Sequence, residues 1–362
     1  MSEARGSFGV MTQTVSIDET FMALVEPLRG ELTAHCYRML GSVHDAEDLV
    51  QETYLRAWKA YHAFENRSTV RTWMYQIATN ACLSSLTSKH RRTLPTGIGQ
   101  PSGPPSGELV TRPEVAWLEP LPDSVVWQQA AGDPGDEVVS KESVRLAFVA
   151  ALQHLTPPQR AVVILRDVLA WQASEVAEAL ELSVAAVNSS LQRARAHLAK
   201  LDPDVQAPED SLQDEHTRQL LRDYVAAFET YDVAKIVATL KSDAIWEMPP
   251  FTAWYRGTEA IAALISNYCP ANGPDDQRMV PIRANGQQAF GLYMRGADGV
   301  HRAFQIQQLE IRDGQVAHVV AYFDTSLFAR FGLPEVLPVG WTGQAQVDIP
   351  DDLVTEDVDE AG

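Results

Sequence analysis

Short polar side chains and cations cluster in one stretch of the chain, in a pattern that suits single-stranded DNA. Asn66, Arg67 and Ser68 form a turn-like polar segment, and four further cations stand nearby: Arg71, Lys89, Arg91 and Arg92. Bases flipped out of an opened duplex are held by small polar groups and aromatic surfaces, and a bare phosphate backbone is held by cations. These residue types could therefore contact nucleic acid.

A second cationic stretch has the proportions of a helix-turn-helix. A short helix is predicted after Ser174, and Ser183 is a capping residue that opens a long helix with a basic end. A recognition helix places its first side chains at base edges and its basic groups at phosphates. The candidates for base contact are Ser183, Ala185, Ala186, Asn188, Ser189 and Gln192, and those for phosphate contact are Arg193, Arg195 and Lys200. Taken alone this pattern is weak, because short amphipathic helices joined by a turn are common.

A run of hydrogen-bond acceptors marks a third feature. Its members recur at spacings of three and four, which places them along one helix face: Asp45, Glu47, Asp48, Gln51 and Glu52. Leu49, Val50, Leu55 and Trp58 also recur at helical spacing and predict the opposite, inward face. The acceptor face fits either a protein partner or an ordinary solvated surface.

Capping signals place the helices that carry these groups. Ser42 with Asp45 predicts a helix from about Asp45 to Tyr61, and another helix begins near Thr69. Thr156, followed by two prolines and Gln159, predicts a helix that runs to about Leu169. Between the two helical segments, residues 93–139 are rich in Pro and Gly, which exclude a helix interior and predict a flexible tether.

The remainder of the chain predicts an α+β domain. A helix over residues 215–229 is followed by short strand-like runs at 244–248, 288–294, 303–307 and 316–322, which favours a curved antiparallel sheet. The last residues, 344–362, are acidic and poor in large apolar groups, so they predict a disordered tail.

Charge is distributed unevenly along the 362 residues. The formal net charge of −19 argues at first against nucleic acid as a partner. However, residues 20–92 carry 9 Lys+Arg against 7 Asp+Glu, and residues 141–201 carry 7 against 5. The acidity lies in residues 202–362, with 11 against 26, and in the tether. The two helical segments are therefore mildly basic and compatible with DNA.

Four stretches of the chain together resemble the sigma-70 family of RNA polymerase sigma factors, extracytoplasmic-function (ECF) class. Asp45-Ala-Glu-Asp-Leu-Val-Gln-Glu-Thr-Tyr-Leu-Arg-Ala-Trp58, with the run from Phe64 to Leu83, resembles sigma region two. Leu155-Thr-Pro-Pro-Gln-Arg-Ala-Val-Val-Ile-Leu165, with the run from Ser183 to Arg195, resembles sigma region four. The resemblance implies that region two docks on the polymerase clamp and melts the minus-ten element, whereas region four reads the minus-thirty-five element. It thereby makes the acceptor face at residues 45–52 the candidate for docking, and the polar and cationic residues between Asn66 and Arg92 the candidates for contact with melted DNA.

This sequence departs from the commonest family pattern at the helix-turn-helix. Glu181 stands at the turn where Gly is usual, and Ala185-Ala-Val-Asn188 stands where Gly-Thr-Val-Lys is usual. The variant resembles the branch of the class whose C-terminal domain is SnoaL-like, with the cone fold of nuclear transport factor two (NTF2). Phe251-Thr-Ala-Trp-Tyr-Arg-Gly257 and Val320-Ala-Tyr-Phe-Asp324 fit that placement.

The expected architecture is therefore multidomain. Two all-α sigma domains, a region-two bundle (20–92) and a region-four helix-turn-helix (140–201), are joined by a flexible linker (93–139) and followed by an α+β SnoaL/NTF2-like cone domain (210–333). Such cones hold an apolar pocket, for which the candidates are Trp246, Met248, Trp254, Tyr255, His301, Gln305 and Tyr322. Catalysis there would need His301 to meet Asp324 or Glu247, which the sequence cannot show, so apolar filling is the preferred interpretation.

The implied partners are core RNA polymerase, through the clamp of its β′ subunit and the flap of its β subunit, and promoter DNA. An anti-sigma factor or a small ligand of the C-terminal domain are further possible partners. No enzyme activity, cofactor, metal or membrane is expected, and the absence of a signal peptide favours the cytoplasm. The acidic C-terminal domain is expected to fold back on the basic DNA-facing surfaces and lower activity. The alternatives are a ligand-responsive helix-turn-helix regulator that acts without polymerase, and an enzyme with structural N-terminal helices.

Overall fold

A computed structural model describes residues 17–64, 68–87, 91–103, 105–127, 140–200 and 214–338. The predicted disordered tail, 344–362, lies outside these residues. The described part folds as two helical segments and an α+β domain, connected by a segment that packs against them.

The first segment is a bundle of four helices, α1 (Ile17–Val25), α2 (Arg29–Leu40), α3 (Val43–Ala60) and α4 (Val70–Ser85). The predicted cap at Ser42 is confirmed, since its hydroxyl accepts a hydrogen bond from the Asp45 amide at 3.1 Å. Thr69 caps α4 in the same way. Helix α2 is buried along almost its whole length, so it forms the centre of the bundle.

The linker differs from the expected flexible tether over its described residues. Leu118 and Leu121 are buried, and the segment ends in a short helix, α5 (Asp123–Trp127). Its backbone bonds to the α+β domain, for example from Ser102 N to Trp254 O at 2.8 Å. Pro and Gly disfavour a long helix before α5, but they do not prevent an extended chain from bonding to its neighbours. Residues 128–139 lie outside the described part.

The second segment contains α6 (Leu146–Leu152), α7 (Pro157–Val163), α8 (Ala173–Ala179) and α9 (Val184–Leu198). The helix start at Thr156 is confirmed as a capping box with Gln159, and α7 continues into a π-helical turn as far as Val168. Helices α8 and α9 form the predicted helix-turn-helix, and Ser183 caps α9. The turn residue Glu181 has φ +54°, the left-handed conformation that explains why Gly is usual there.

The α+β domain opens with α10 (Glu215–Glu229), as predicted, followed by α11 (Val233–Ala238) and, later in the chain, α12 (Thr258–Tyr268). One six-stranded sheet has the order β2-β1-β6-β5-β4-β3. The strands are β1 (Leu240–Glu247), β2 (Trp254–Arg256), β3 (Gln277–Ala284), β4 (Gln287–Arg295), β5 (His301–Arg312) and β6 (Gln315–Tyr322), and a short helix, α13 (Leu327–Arg330), follows. The pairs are antiparallel except β1 with β6, which is parallel. Strands β2 and β3 were not predicted.

The two faces of this sheet belong to different hydrophobic cores. Alternate residues of a strand point to opposite faces. Those on the inner face pack with α10, α11 and α12 in a core that includes Phe228 and Trp246. Those on the outer face, including Tyr293, Ile306, Val320 and Tyr322, join the core of the two helical segments. The sheet is therefore shared between the α+β domain and the helices that precede it.

Candidate polymerase and promoter interfaces

The acceptor face of α3 is only partly free in this structure. Asp48 and Gln51 are exposed, and Glu52 pairs with Arg56 at 2.5 Å. Leu55 and Trp58, predicted to point inward, are instead 61% and 47% exposed. The helix buries Ala46, Leu49, Val50, Thr53, Tyr54 and Ala57, so its inward stripe is displaced by part of a turn from the predicted one. The exposed face therefore combines acceptors with two large apolar groups.

Two members of the acceptor set are bonded to other parts of the chain. Asp45 pairs with Arg92 at 2.9 Å, and Arg92 also bonds to Glu119 of the linker at 3.0 Å. Glu47 pairs with Arg330 of α13. This face of α3 is thus attached both to the linker and to the C-terminal domain.

Of the residues predicted to contact melted DNA, those that the structure describes are not brought together as one free surface. Ser68 is exposed, whereas Asn66, Arg67 and Lys89 lie outside the described residues. Arg71 forms a bidentate pair with the buried carboxylate of Glu31, and Arg92 is held internally. Burial lowers the pKa of Arg91, which bonds to His154 at 3.2 Å. Arg71 and Arg92 therefore connect elements of the protein here, although their DNA contact stays a prediction.

A groove of about 660 Å³ separates the region-two helices from the helix-turn-helix. On one side Phe64 stacks on Trp73 with ring centroids 4.6 Å apart, and Ser68 lines the same wall. On the other side stand Glu175 and Glu178 of α8. Carboxylates thus face the surface predicted to receive DNA.

The recognition helix α9 presents most of its predicted residues to solvent. Ala185, Asn188, Ser189, Gln192 and Arg193 are exposed, and Ala186 is half-buried. Lys200, just beyond the end of α9, is also exposed. Ser183 uses its hydroxyl as the cap. Arg195 is exposed and pairs with Asp167 at 2.5 Å. The geometry brings Asn188, Gln192 and Arg193 onto the accessible surface of one helix, as a duplex-reading role requires.

The predicted pocket residues do not converge on one cavity. Trp246, Met248 and Tyr255 fill the core under α10–α12, whereas Tyr322 belongs to the opposite core. Gln305 is buried, and His301 bonds outward to the carbonyl of Asp275. Neither catalytic pair forms: Glu247 bonds to His318, and Asp324 bonds to Ser326. This corrects the expectation of a single pocket, because the inner face of the sheet is filled by large side chains.

Asn285, which the sequence did not single out, joins three segments. It lies in the turn between β3 and β4, has φ +58° and is fully buried. Its Nδ2 donates to the Tyr37 hydroxyl at 2.9 Å and to the Val144 carbonyl at 2.7 Å. Its Oδ1 accepts from the Leu121 amide at 2.9 Å. The Asn-Gly pair at 285–286 is a strong hairpin signal, but nothing local indicates what its side chain contacts.

A charged cluster on the outer face of the sheet was also missed. His318 Nε2 lies 2.7 Å from Glu247, and Glu310 pairs with Arg145, just before α6, at 3.0 Å and also with Arg312. Burial alone would lower the pKa of His318, but its bonds to the two carboxylates raise it to about 9. Burial alone would raise the pKa of Glu310, but His318 and Arg312 lower it to about 2. The cluster therefore holds an imidazolium between two carboxylates at neutral pH.

In the described part of the chain, no group of three or more His, Cys, Asp or Glu side chains is placed to hold a metal ion. The same residues contain no helix with the length and apolarity needed to cross a bilayer.

Three family profiles match the chain in order. The profile described as Sigma-70 region 2 matches residues 24–92, and Sigma-70, region 4 matches residues 145–198. The SnoaL-like domain profile matches residues 221–319. The order of helical regions two and four followed by a SnoaL-like α+β domain is the predicted one.

Individual relatives indicate the class of sigma factor to which the chain is similar. The ECF RNA polymerase sigma factor SigG of Mycobacterium tuberculosis (strain ATCC 25618 / H37Rv) is 54% identical over 317 residues, which cover 88% of this chain and 85% of that one. SigJ of the same strain is 29% identical over 308 residues, 80% of this chain and 88% of that one. The crystal structure of M. tuberculosis SigJ superposes with a TM-score of 0.56 at 25% identity, covering 87% of this chain and 99% of that one. The chain belongs to the ECF RNA polymerase sigma factors.

Proposed function

We propose that this protein binds core RNA polymerase through the exposed face of α3 and directs promoter-specific initiation, and that its C-terminal domain holds it in a closed, less active form. Asp48, Gln51 and Leu55 would meet the polymerase clamp. The loop before α4 would contact the minus-ten element, and α9 would read the minus-thirty-five element. Promoter opening is driven by binding energy, without turnover of a substrate. It takes place in the cytoplasm, where polymerase and promoters are found.

The observation that supports a closed form most directly is the position of Asn285. One buried side chain of the C-terminal domain bonds to region two at Tyr37, to the linker at Leu121 and to the carbonyl of Val144, just ahead of α6. Withdrawing this polar group is costly because three buried hydrogen bonds are lost together, each with a net contribution of about 0.5–1.5 kcal/mol. Opening the molecule therefore requires a compensating interaction, which polymerase would supply.

Two further contacts support closure. Arg330 of α13 forms an ion pair with Glu47, a member of the predicted docking face, and α8 lies across the groove from Phe64 and Trp73. The sign of the Arg330 contact is opposite to the expected attraction of an acidic domain for basic surfaces. Closure rests on specific pairs and a shared apolar core, with net charge as a minor contribution.

The function is tested by run-off transcription with core polymerase and the full-length protein on candidate promoters. Specific initiation that requires the protein and is lost when the minus-ten or minus-thirty-five element is scrambled supports the proposal. Sequence-specific DNA binding without core polymerase, with no initiation in its presence, would instead favour the helix-turn-helix regulator.

A further inference from the structure

A cleft of about 740 Å³ lies between the C-terminal domain and the helix that begins region four. One wall is a face of α6 with small apolar side chains, Ala147, Ala150 and Ala151, beside Leu146. The linker turn at Thr96 and Gly97 closes one side, and the outer face of the sheet forms the opposite wall. The volume falls within the usual range for small-molecule sites.

The sheet wall is polar, but its charges are largely matched. Lys241 pairs with Asp313 at 2.5 Å, and Glu310 pairs with Arg145 at 3.0 Å and also with Arg312. The exposed side chains of Arg256 and Asp243 also line the cleft, so that its Lys and Arg residues equal its Asp and Glu residues, three of each. A ligand with a net charge therefore meets no excess of the opposite sign among these residues. The wall therefore favours an uncharged occupant.

One hydrogen-bonding group on this wall is unsatisfied. Gln308 is 2% exposed, and its Nε2 donates to the Gln287 side chain at 2.6 Å. Its Oε1 is buried and accepts no hydrogen bond from the described residues. A buried acceptor without a partner costs free energy that a ligand with an N–H or O–H group would recover.

We propose that this cleft binds an uncharged, amphipathic small molecule, with an apolar surface against Ala147 and Ala150 and a hydrogen-bond donor directed at Gln308. The site is separate from the inner face of the sheet, where Trp246 and Met248 fill the space under the helices. Its walls come from region four, the linker and the C-terminal domain, so a molecule that bridges them stabilises the closed form. This regulatory consequence rests on the proposed function, whereas the binding itself does not.

The probe is N-phenyl-1-naphthylamine, an uncharged aromatic amine with one N–H donor, titrated into the full-length protein and followed by its fluorescence. We expect saturable binding of one molecule per chain. The double variant Ala147→Gln/Ala150→Gln fills the apolar wall and should weaken binding at least about tenfold. Gln308→Leu removes the acceptor and should weaken it about fivefold. Ala196→Gln, on the exposed side of α9, is the matched control and should bind as wild type does.

The anionic analogue 8-anilino-1-naphthalenesulfonate has the same ring skeleton plus a sulfonate and should bind more weakly. Equal or tighter binding of this analogue would overturn the uncharged class. Binding that does not saturate, or that the α6 and Gln308 variants leave unchanged while their melting curves match wild type, would overturn the site.

Run-off transcription separates the two proposals. Saturating probe should lower initiation by the wild-type protein and leave the α6 double variant unaffected. Probe binding that meets every criterion, together with no initiation under any condition, would refute the proposed function and leave the site standing.

Discussion

The side-chain amide of Asn285 donates a hydrogen bond to the hydroxyl of Tyr37 at 2.9 Å. The first residue lies in a hairpin turn of the SnoaL-like domain and the second in the central helix of region two. The Tyr37 hydroxyl in turn donates a hydrogen bond to the Glu119 carbonyl of the linker at 2.7 Å. The two bonds connect the C-terminal domain to the linker through the central helix of region two, and Asn285 and Tyr37 are both fully buried.

Replacing Asn285 with Ala should open the molecule. The change leaves the Tyr37 hydroxyl without a donor and the Val144 carbonyl and Leu121 amide without a side-chain partner, at a cost of about 1–3 kcal/mol in the free energy of unfolding. Run-off initiation at limiting protein should rise, because the closed form loses more than the open form. Asn285→Gly keeps the left-handed turn and should behave similarly. If the Gly variant matched wild type while Ala did not, turn strain would be the cause and the bonds would be irrelevant.

Replacing Arg330 with Ala should free Glu47. The pair is partly exposed, so its contribution to stability is small, about 0–1 kcal/mol. Affinity for core polymerase, measured by fluorescence anisotropy, should nevertheless increase. Arg302→Ala removes a similar exposed pair, with Asp298, and is the matched control. Equal affinities for the two variants would show that Arg330 does not compete with polymerase.

The helical segments could be predicted from sequence because their signals are local. Caps at Ser42, Thr156 and Ser183 fix where helices start, and each depends on residues within one turn. The missed strand β3 carries Arg278, Pro281 and Arg283, which hide the alternation typical of a strand. Its pairing with β4 supplies the stability that its own residues do not indicate.

The site was less predictable, for a physical reason. Arg92 and Glu47 belong to motifs whose usual role is contact with other molecules. Here Arg92 pairs with Glu119, 27 positions away, and Glu47 pairs with Arg330, hundreds of positions away. The partner of a surface charge depends on how domains pack, and that packing is decided by apolar faces such as the outer side of the sheet. No local pattern carries this information.

Glu181→Gly should stabilise the helix-turn-helix. A non-glycine residue in the left-handed region costs roughly 1–2 kcal/mol. Glycine removes this cost, but its greater conformational freedom in the unfolded state offsets part of the gain. A gain of about 1 kcal/mol in the free energy of unfolding is expected from urea titration. Glu178→Gly, inside α8, should instead lose about 1 kcal/mol. A loss at both positions would indicate that the Glu181 side chain makes a stabilising contact.

Because of His318, the free energy of unfolding should decrease as the pH rises above neutrality. Its pKa is raised from 6.5 to about 9, so its contribution is complete below about pH 6.5 and is lost as the pH rises through 9. The cations Arg145 and Arg312 face the same cluster. Urea midpoints should therefore fall between pH 6.5 and 9 in wild type, and less steeply in His318→Gln. Parallel pH profiles would mean that the imidazolium is not stabilised by Glu247 and Glu310.

The recognition helix offers a test of base against phosphate contact. Asn188→Ala and Gln192→Ala should each relax discrimination at a position of the minus-thirty-five element by about 1–3 kcal/mol. Arg193→Ala should weaken binding to all sequences alike and reduce the slope of log affinity against log salt by about 1. Transcription from a set of single-base promoter variants at several salt concentrations measures both. A sequence-specific effect of Arg193→Ala would reverse these roles.

Because synthesis proceeds from the N-terminus, the sheet is made after the helices that it contacts. Helix α9 ends at Leu198, and the last strand of the sheet ends at Tyr322. Synthesis of the intervening residues, roughly 120 of them, takes about 6–25 s at bacterial rates. During that interval a nascent chain has both sigma regions and no sheet to cover them. If the sheet restrains the sigma regions as proposed, each molecule is least restrained shortly after region four has been made and before the sheet is complete.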